Sequence, residues 1–284
     1  MKLLRRTFSG AAAALTASLS IAGAPAFGFT ITQNSNGSDL LNSLLGTTTG
    51  LSNFSVTTTG NAAAFGLFTG DPFGLGSGVA LSTGYATALL GPNNSGSKSG
   101  SFGTSGDTPG SYDLAKLEIS FDADSTADKV FFQYVFGSEE FVEYGGSSYN
   151  DSFELLLNGT NLAKLSDGQT VTINNLVPNP GGPYHPDFTD NTGGIATNDT
   201  QLDGFTKVLA FEGLLNKNAK NTLSIKIKDV GDSGWDSGVF IKGGSLGTVA
   251  PPSKVPEPGV VFGLLAAGSM GFLSGRKKQK AVNS

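Results

Sequence analysis

Residues Val130–Phe136 read Val-Phe-Phe-Gln-Tyr-Val-Phe. A run this short, apolar on nearly both faces and rich in aromatic and β-branched side chains, fits a central strand covered on both sides. Its neighbours in sequence alternate with period two. Leu117, Ile119 and Phe121 share one face, as do Phe153, Leu155 and Leu157. Leu223, Ile225 and Ile227 alternate with Ser224, Lys226 and Lys228, the pattern of a half-exposed strand. Val239–Ile241 makes a short final strand. The 41 glycines, with recurring Ser, Thr and Asn, supply the tight turns that many short strands require. Only Asp39–Leu45 reads as a helix, one short element capped by Ser38 or Asp39. The expected fold is all-β: a two-sheet β-sandwich, jelly-roll-like, with loops clustered at its ends.

The two ends of the chain have a different character. Lys2, Arg5 and Arg6 precede an apolar stretch from Phe8 to Ile21, and then Ala24-Pro25-Ala26. A positive start, a short apolar core and small residues at alternate positions make a secretory signal peptide over residues 1–26, cleaved near Ala26. The apolar core is short for a membrane anchor. Arg5-Arg6 leaves export by the general or the twin-arginine route open. At the other end, Val255-Pro256-Glu257-Pro258 precedes an apolar run from Gly259 to Gly275, and Arg276, Lys277, Lys278 and Lys280 follow. A proline-rich break, an apolar run long enough to span a bilayer and a basic stop would hold residues 251–284 in the inner membrane, basic end in the cytoplasm. This order resembles the PEP-CTERM sorting signal. The resemblance implies cutting by an exosortase-type enzyme and passage to the cell surface; a plain single-span anchor is the alternative. Residues 27–250 remain as one domain, since no second linker and no internal repeat divide them. The signal and sorting helices lie outside it.

Charge is unevenly distributed. Seven of the 18 basic residues, all three arginines included, sit in the two ends, which leaves 11 lysines against 22 acids in residues 27–254. An acidic body without arginine argues against nucleic acid as a partner. It suits solubility generally and cation binding where acids cluster. Without cysteine the domain has no disulfides, thiolate chemistry or Cys-based metal site, and its stability must come from packing, with a bound ion as a further source.

Catalytic patterns are absent: no H-E-x-x-H, G-x-S-x-G, phosphate loop or dinucleotide fingerprint occurs. The single histidine, His185, lies among prolines and glycines and reads as a solvated loop residue. Glu139-Glu140 is a carboxylate pair, but neighbours on an extended chain point to opposite faces. Two stretches, Gly91–Ser111 and Pro178–Thr200, read as long loops, functional or mobile. Oxygen-rich clusters carry more signal. One runs from Gly137 through Glu139, Glu140 and Glu143 to Asn150 and Asp151; the other holds Asp229, Asp232 and Asp236. Both sit between strands, where glycine turns could wrap backbone oxygens around calcium. Neither has the EF-hand spacing, and acidic turn residues also make Asx turns and caps. Tyr144, Tyr149, Tyr184 and Trp235 lie in or near these loops, as sugar-stacking rings or as packing lids.

Phe132–Tyr144 and Tyr149–Phe153 resemble the central motif of the choice-of-anchor L domain. Gly78–Gly84, Leu202–Thr206 and Asp232–Phe240 are similar to its other elements, in the expected order. One departure is Gly238, where alanine or a bulkier residue is usual. The resemblance implies a domain of bacterial surface proteins joined to various sorting tails, with no established enzymatic activity. It supports a shared role for Glu139, Glu140, Asn150, Asp151, Asp203, Asp232 and Asp236, as ligands of calcium or another hard cation or as mutually bonded turn residues. The functional expectation is an exported, non-enzymatic surface or matrix protein. Its partners would be the export machinery, signal peptidase, an exosortase-type enzyme and, for an adhesive module, an extracellular polysaccharide. The alternative is a secreted polysaccharide hydrolase using acids from separate loops, such as Glu140 and Asp236, about 5–9 Å apart across a cleft.

Overall fold

The computed structural model describes residues 28–251. The expected signal peptide with Ala24 and Ala26, and the sorting tail with Val255, Pro256, Glu257, Pro258, Arg276, Lys277 and Lys278, lie outside the described residues. Among the described residues, no helix is long and apolar enough to cross a membrane.

Among the described residues thirteen strands form two antiparallel sheets. In chain order they are β1 (Thr30–Gln33), β2 (Leu51–Thr59), β3 (Phe65–Thr69), β4 (Ser77–Ser82), β5 (Ser111–Ala123), β6 (Lys129–Ser138) and β7 (Ser152–Leu157). Then follow β8 (Thr160–Asn161), β9 (Phe188–Asp190), β10 (Gly204–Thr206), β11 (Leu209–Leu214), β12 (Ala219–Val230) and β13 (Ser237–Lys242). The larger sheet runs β1-β3-β4-β13-β6-β10-β9, with β11 also paired to β6; the smaller runs β2-β5-β12-β7-β8. The chain passes repeatedly between sheets, from β4 to β5 to β6 to β7 and again from β11 to β12 to β13, the interleaving expected of a jelly-roll-like sandwich.

The main core lies between the sheets. Leu117, Ile119 and Phe121 of β5, Phe153 and Leu155 of β7, and Leu223, Ile225 and Ile227 of β12 meet Phe132, Tyr134 and Phe136 of β6 and Val239 and Ile241 of β13. A second apolar cluster covers the outer face of the larger sheet, where Val135 and Phe240 join Ile31, Phe68, Leu75 and Leu202. This second layer explains why Val130–Phe136 is apolar on both faces: β6 is central in its sheet and also sandwiched between two cores. Gly238 has its reason here as well. A Cβ at that position would come within 2.8 Å of Leu89, so the side chain usual at this point is replaced by the Leu89 methyls.

Several expectations change in detail. The helix α1 runs Gly37–Leu44, and its cap is Asn36, not Ser38 or Asp39. The Asn36 side chain accepts from Ser38 N at 2.9 Å and Asp39 N at 3.3 Å; asparagine caps as well as serine or aspartate, and Asp39 instead occupies the positive first turn. Pro178–Thr200 is not wholly loop, since it contains β9 and a 3₁₀ turn at Thr192–Gly194. A three-residue strand is too short to show alternation. Lys228 is buried rather than half-exposed, paired with Asp107 at 2.7 Å and Glu154 at 3.6 Å. His185 is no solvated loop residue: its side chain is 7% exposed, with Nε2 3.3 Å from Asp167 and Nδ1 accepting from Asp187 N at 3.1 Å. Its segment is pinned under the second helix α2 (Ile173–Leu176) by His185 N donating to the Leu176 carbonyl.

Candidate functional site

The inward columns of the strands continue past the apolar core into one end of the sandwich, and there their residue type changes. In β5 the column Phe121, Ile119, Leu117, Ala115 ends on Asp113; in β12, Leu223, Ile225 and Ile227 are followed by Asp229. Asp151 precedes Phe153 in the same phase. On the opposing sheet Ser138 and Ser237 end the columns of β6 and β13. The alternation that builds the core thus also buries a polar layer. The two hydroxyls bond each other at 2.9 Å, and Ser237 Oγ donates to Asp151 Oδ2 at 2.7 Å. Glu139, Glu140, Asp203 and Asp236 enter the same end from the turns beyond Ser138, ahead of β10 and ahead of β13.

A glycine-rich strap, residues 93–104, crosses this end. From Lys98 onward every second amide donates to an acid: Lys98 N to Glu139 Oε2 at 3.1 Å, Gly100 N to Asp236 Oδ1 at 3.0 Å, Phe102 N to Asp113 Oδ2 at 2.9 Å and Thr104 N to Asp113 Oδ1 at 2.8 Å. At its start Asn93 Nδ2 donates to Asp203 Oδ1 at 2.9 Å. The strap is in effect an extra strand whose partners are carboxylates. Gly84 admits one of them: a Cβ there would lie 1.9 Å from Asp236 Oδ2.

The strap leaves half of this chemistry unmet. Seven buried side-chain oxygens have no hydrogen-bond partner: Glu139 Oε1, both oxygens of Glu140, Asp203 Oδ2, both of Asp229 and Asp236 Oδ2. Every buried polar side-chain atom left alone among the described residues is therefore a carboxylate oxygen at this one end. No ion pair among the described residues reaches these acids. Burial pushes Glu139 and Glu140 up to about 9, Asp151 to about 7, and Asp203 and Asp236 to about 6. Burial and the adjacent Asp151 carboxylate drive Asp229 well above the ordinary range. Buried carboxylates must be paired, protonated or bound to a cation.

Of the seven acidic and amide residues singled out from the sequence, the structure brings five together: Glu139, Glu140, Asp151, Asp203 and Asp236. Asp232 sits at the rim, where Oδ1 accepts from Gly234 N at 3.1 Å. Asn150 turns away, its Oδ1 accepting from Asn174 N of α2 at 2.9 Å. Asp113 was missed, although the alternation of β5 already puts it in phase with the core; Asp229 belonged to the second oxygen-rich cluster but not to the seven-residue set, although the alternation of β12 points it inward as well. Asn93 gave no signal, because only the folded strap carries it to Asp203. The aromatic set divides: Tyr144 meets Tyr149 and Trp235 at centroid distances of 5.3 and 5.1 Å, and Trp235 Nε1 donates to the Gly96 carbonyl of the strap at 3.3 Å. Tyr184 is a packing lid elsewhere, against Phe188.

Among the described residues no three acidic or imidazole groups stand close enough together to cage a metal by themselves. An ion at this end would take its remaining oxygens from carbonyls, hydroxyls and water, as calcium readily does. The paired-acid hydrolase arrangement finds no support in the pair named for it: Glu140 and Asp236 are 0% and 2% exposed and do not flank an open cleft.

Fold and site together define a two-sheet antiparallel sandwich with a buried acidic end. The chain belongs to the choice-of-anchor L domain family, whose model matches residues 30–247. Neither the curated proteins nor the solved structures contain a match to it.

Proposed function

We propose that this is an exported, non-enzymatic surface or extracellular-matrix module whose sandwich is stabilised by a hard cation, calcium first, at its acidic end. The observation that carries the reading is the set of seven buried, unpartnered carboxylate oxygens. Hard cations take six to eight such oxygens, and a buried anion cluster without basic partners is otherwise costly. Membership in a family named for its anchors supports a surface-anchored or secreted protein. The signal-peptide and sorting-tail patterns support export, removal of the leader by signal peptidase and processing by an exosortase-type enzyme. The Tyr144–Tyr149–Trp235 cluster beside the acidic end offers half-buried rings for a sugar to stack on, which makes an extracellular polysaccharide the adhesive partner.

Thermal unfolding of the purified protein at neutral pH, in calcium and in chelator, tests the cation reading. A ligand of the folded state raises Tm progressively with concentration. The expected result is a Tm that climbs through micromolar to millimolar calcium and falls back in chelator. An unchanged Tm at millimolar calcium overturns the cation reading.

A further inference from the structure

The unpartnered oxygens fall into two sets that differ in their contact with the strap. Glu139 lies beside Asp203 and Asp236. Each of these three has one oxygen held by the strap or its Asn93 and the other oxygen free of any donor. Glu140, the next residue, faces Asp151 instead, and Asp151 adjoins Asp229, which Asp236 of the first set also approaches. Both oxygens of Glu140 and of Asp229 are unpartnered, and none of the strap amides reaches them. Between the sets run the paired backbones of β6 and β13, where Ser138 bonds Ser237 and Glu139 N donates to the Asp236 carbonyl at 3.1 Å. All of these acids but Asp151 carry at least one unpartnered oxygen, and all six are 2% exposed or less. A single divalent ion would leave most of their charge buried and uncompensated.

We infer that this end holds two hard divalent cations, an inference that rests on the cation reading above. An outer ion sits at the unpartnered oxygens of Glu139, Asp203 and Asp236 and latches the strap; an inner ion sits at Glu140, Asp151 and Asp229. Because no three of the acids already converge, each ion draws its carboxylates inward. For the outer set this motion is transmitted directly to the strap, whose amides hold the second oxygen of the same side chains. The strap in turn carries the Gly96 carbonyl that orients Trp235, so the outer ion also sets the aromatic face.

Calorimetric titration of the purified protein with calcium chloride counts the ions, and hydrogen exchange in calcium and in chelator reads the strap. Wild type takes up two ions per chain, and the amides of residues 98–104 exchange at least tenfold more slowly in calcium. Glu139→Gln keeps one ion and loses the calcium-dependent protection of the strap. Asp229→Asn keeps one ion and retains that protection. Each amide carries no charge to neutralise on folding, so both variants melt in chelator at or above the wild-type temperature, which shows that they are folded. One ion in wild type, or loss of both ions in either folded variant, overturns the two-site inference and leaves the cation reading intact. No uptake at millimolar calcium overturns both.

Discussion

Asp113 and Asp229 lie near each other, on adjacent strands of one sheet, and both end an inward column of the core, yet they are treated in opposite ways. Asp113 is 1% exposed and accepts four hydrogen bonds, from Ser101 Oγ, Phe102 N, Thr104 N and Thr104 Oγ1, all between 2.8 and 2.9 Å. Asp229 is 0% exposed and has no donor in hydrogen-bond geometry, its polar neighbours being the Thr83 hydroxyl and the Asp151 carboxyl. The register shift between Ile227 and Asp229 falls beside Asp113, whose φ of +45° turns its carboxylate toward the strap. A buried carboxylate with four donors is a structural anchor. One with no donor is an unmet demand, and the difference separates the part of the acidic end that is complete by itself from the part that calls for a ligand.

The contrast is sharpest in its dependence on pH. Glu139, Glu140, Asp151, Asp203 and Asp236 all have folded-state values raised by burial, to between about 6 and about 9. Unfolded carboxyls titrate near about 4. Between these limits the folded protein binds more protons than the unfolded chain, so stability falls as pH rises. In chelator, denaturant unfolding from pH 5 to pH 9 is expected to show a large, continuous loss of stability, the largest effect expected here. Saturating calcium favours the ionised acids and flattens that slope. Rising stability over the same range in chelator would show that the acids are already compensated.

A smaller effect sets the apolar part of a column against its acidic end. Ile225→Ala removes a fully buried side chain two positions inward of Ile227 and should cost roughly 2–5 kcal/mol in denaturant unfolding. The loss should be the same with and without calcium, because the site lies in the dry core. A loss that calcium abolishes would mean the core and the acidic end do not behave as separate layers.

The smallest effect is the most direct test of the pair. Asp113→Asn replaces two acceptor lone-pair directions by N–H groups facing donors, and should cost about 1–3 kcal/mol by the price of buried, unmatched hydrogen-bonding groups. Asparagine tolerates the positive φ, so the backbone is not the cause of the loss. The same change at Asp229 should stabilise the protein in chelator. Equal signs for the two substitutions, read by denaturant midpoints, would remove the distinction between anchor and ligand site.

Much of this was legible before folding was known. The double-faced apolar run announced β6 as central, and period-two alternation located β5, β7, β12 and β13. It also held an unread message: a column that runs Leu223, Ile225, Ile227, Asp229 can only keep its phase by burying the aspartate. The strand does not stop at its last apolar residue, so the inward phase continues past Ile227 into the acid. Asn150 shows the converse. Its place next to Asp151 suggested a ligand, but consecutive residues on extended chain face opposite ways, and Asn150 went to α2.

The sequence by itself determined the strands, their inward faces and the concentration of acid in the turns, because side-chain alternation and turn chemistry act over a few residues. It also carried the motifs that mark the family. Tertiary structure alone decided which acids meet. Asp113, Asp151, Asp203 and Asp236 are tens of residues apart, and only the antiparallel registers of two sheets bring the ends of β4, β5, β6, β7, β12 and β13 to one place. It decided as well which of them are satisfied, since the donors come from a strap with no periodic signal, whose amides meet carboxylates contributed by both sheets.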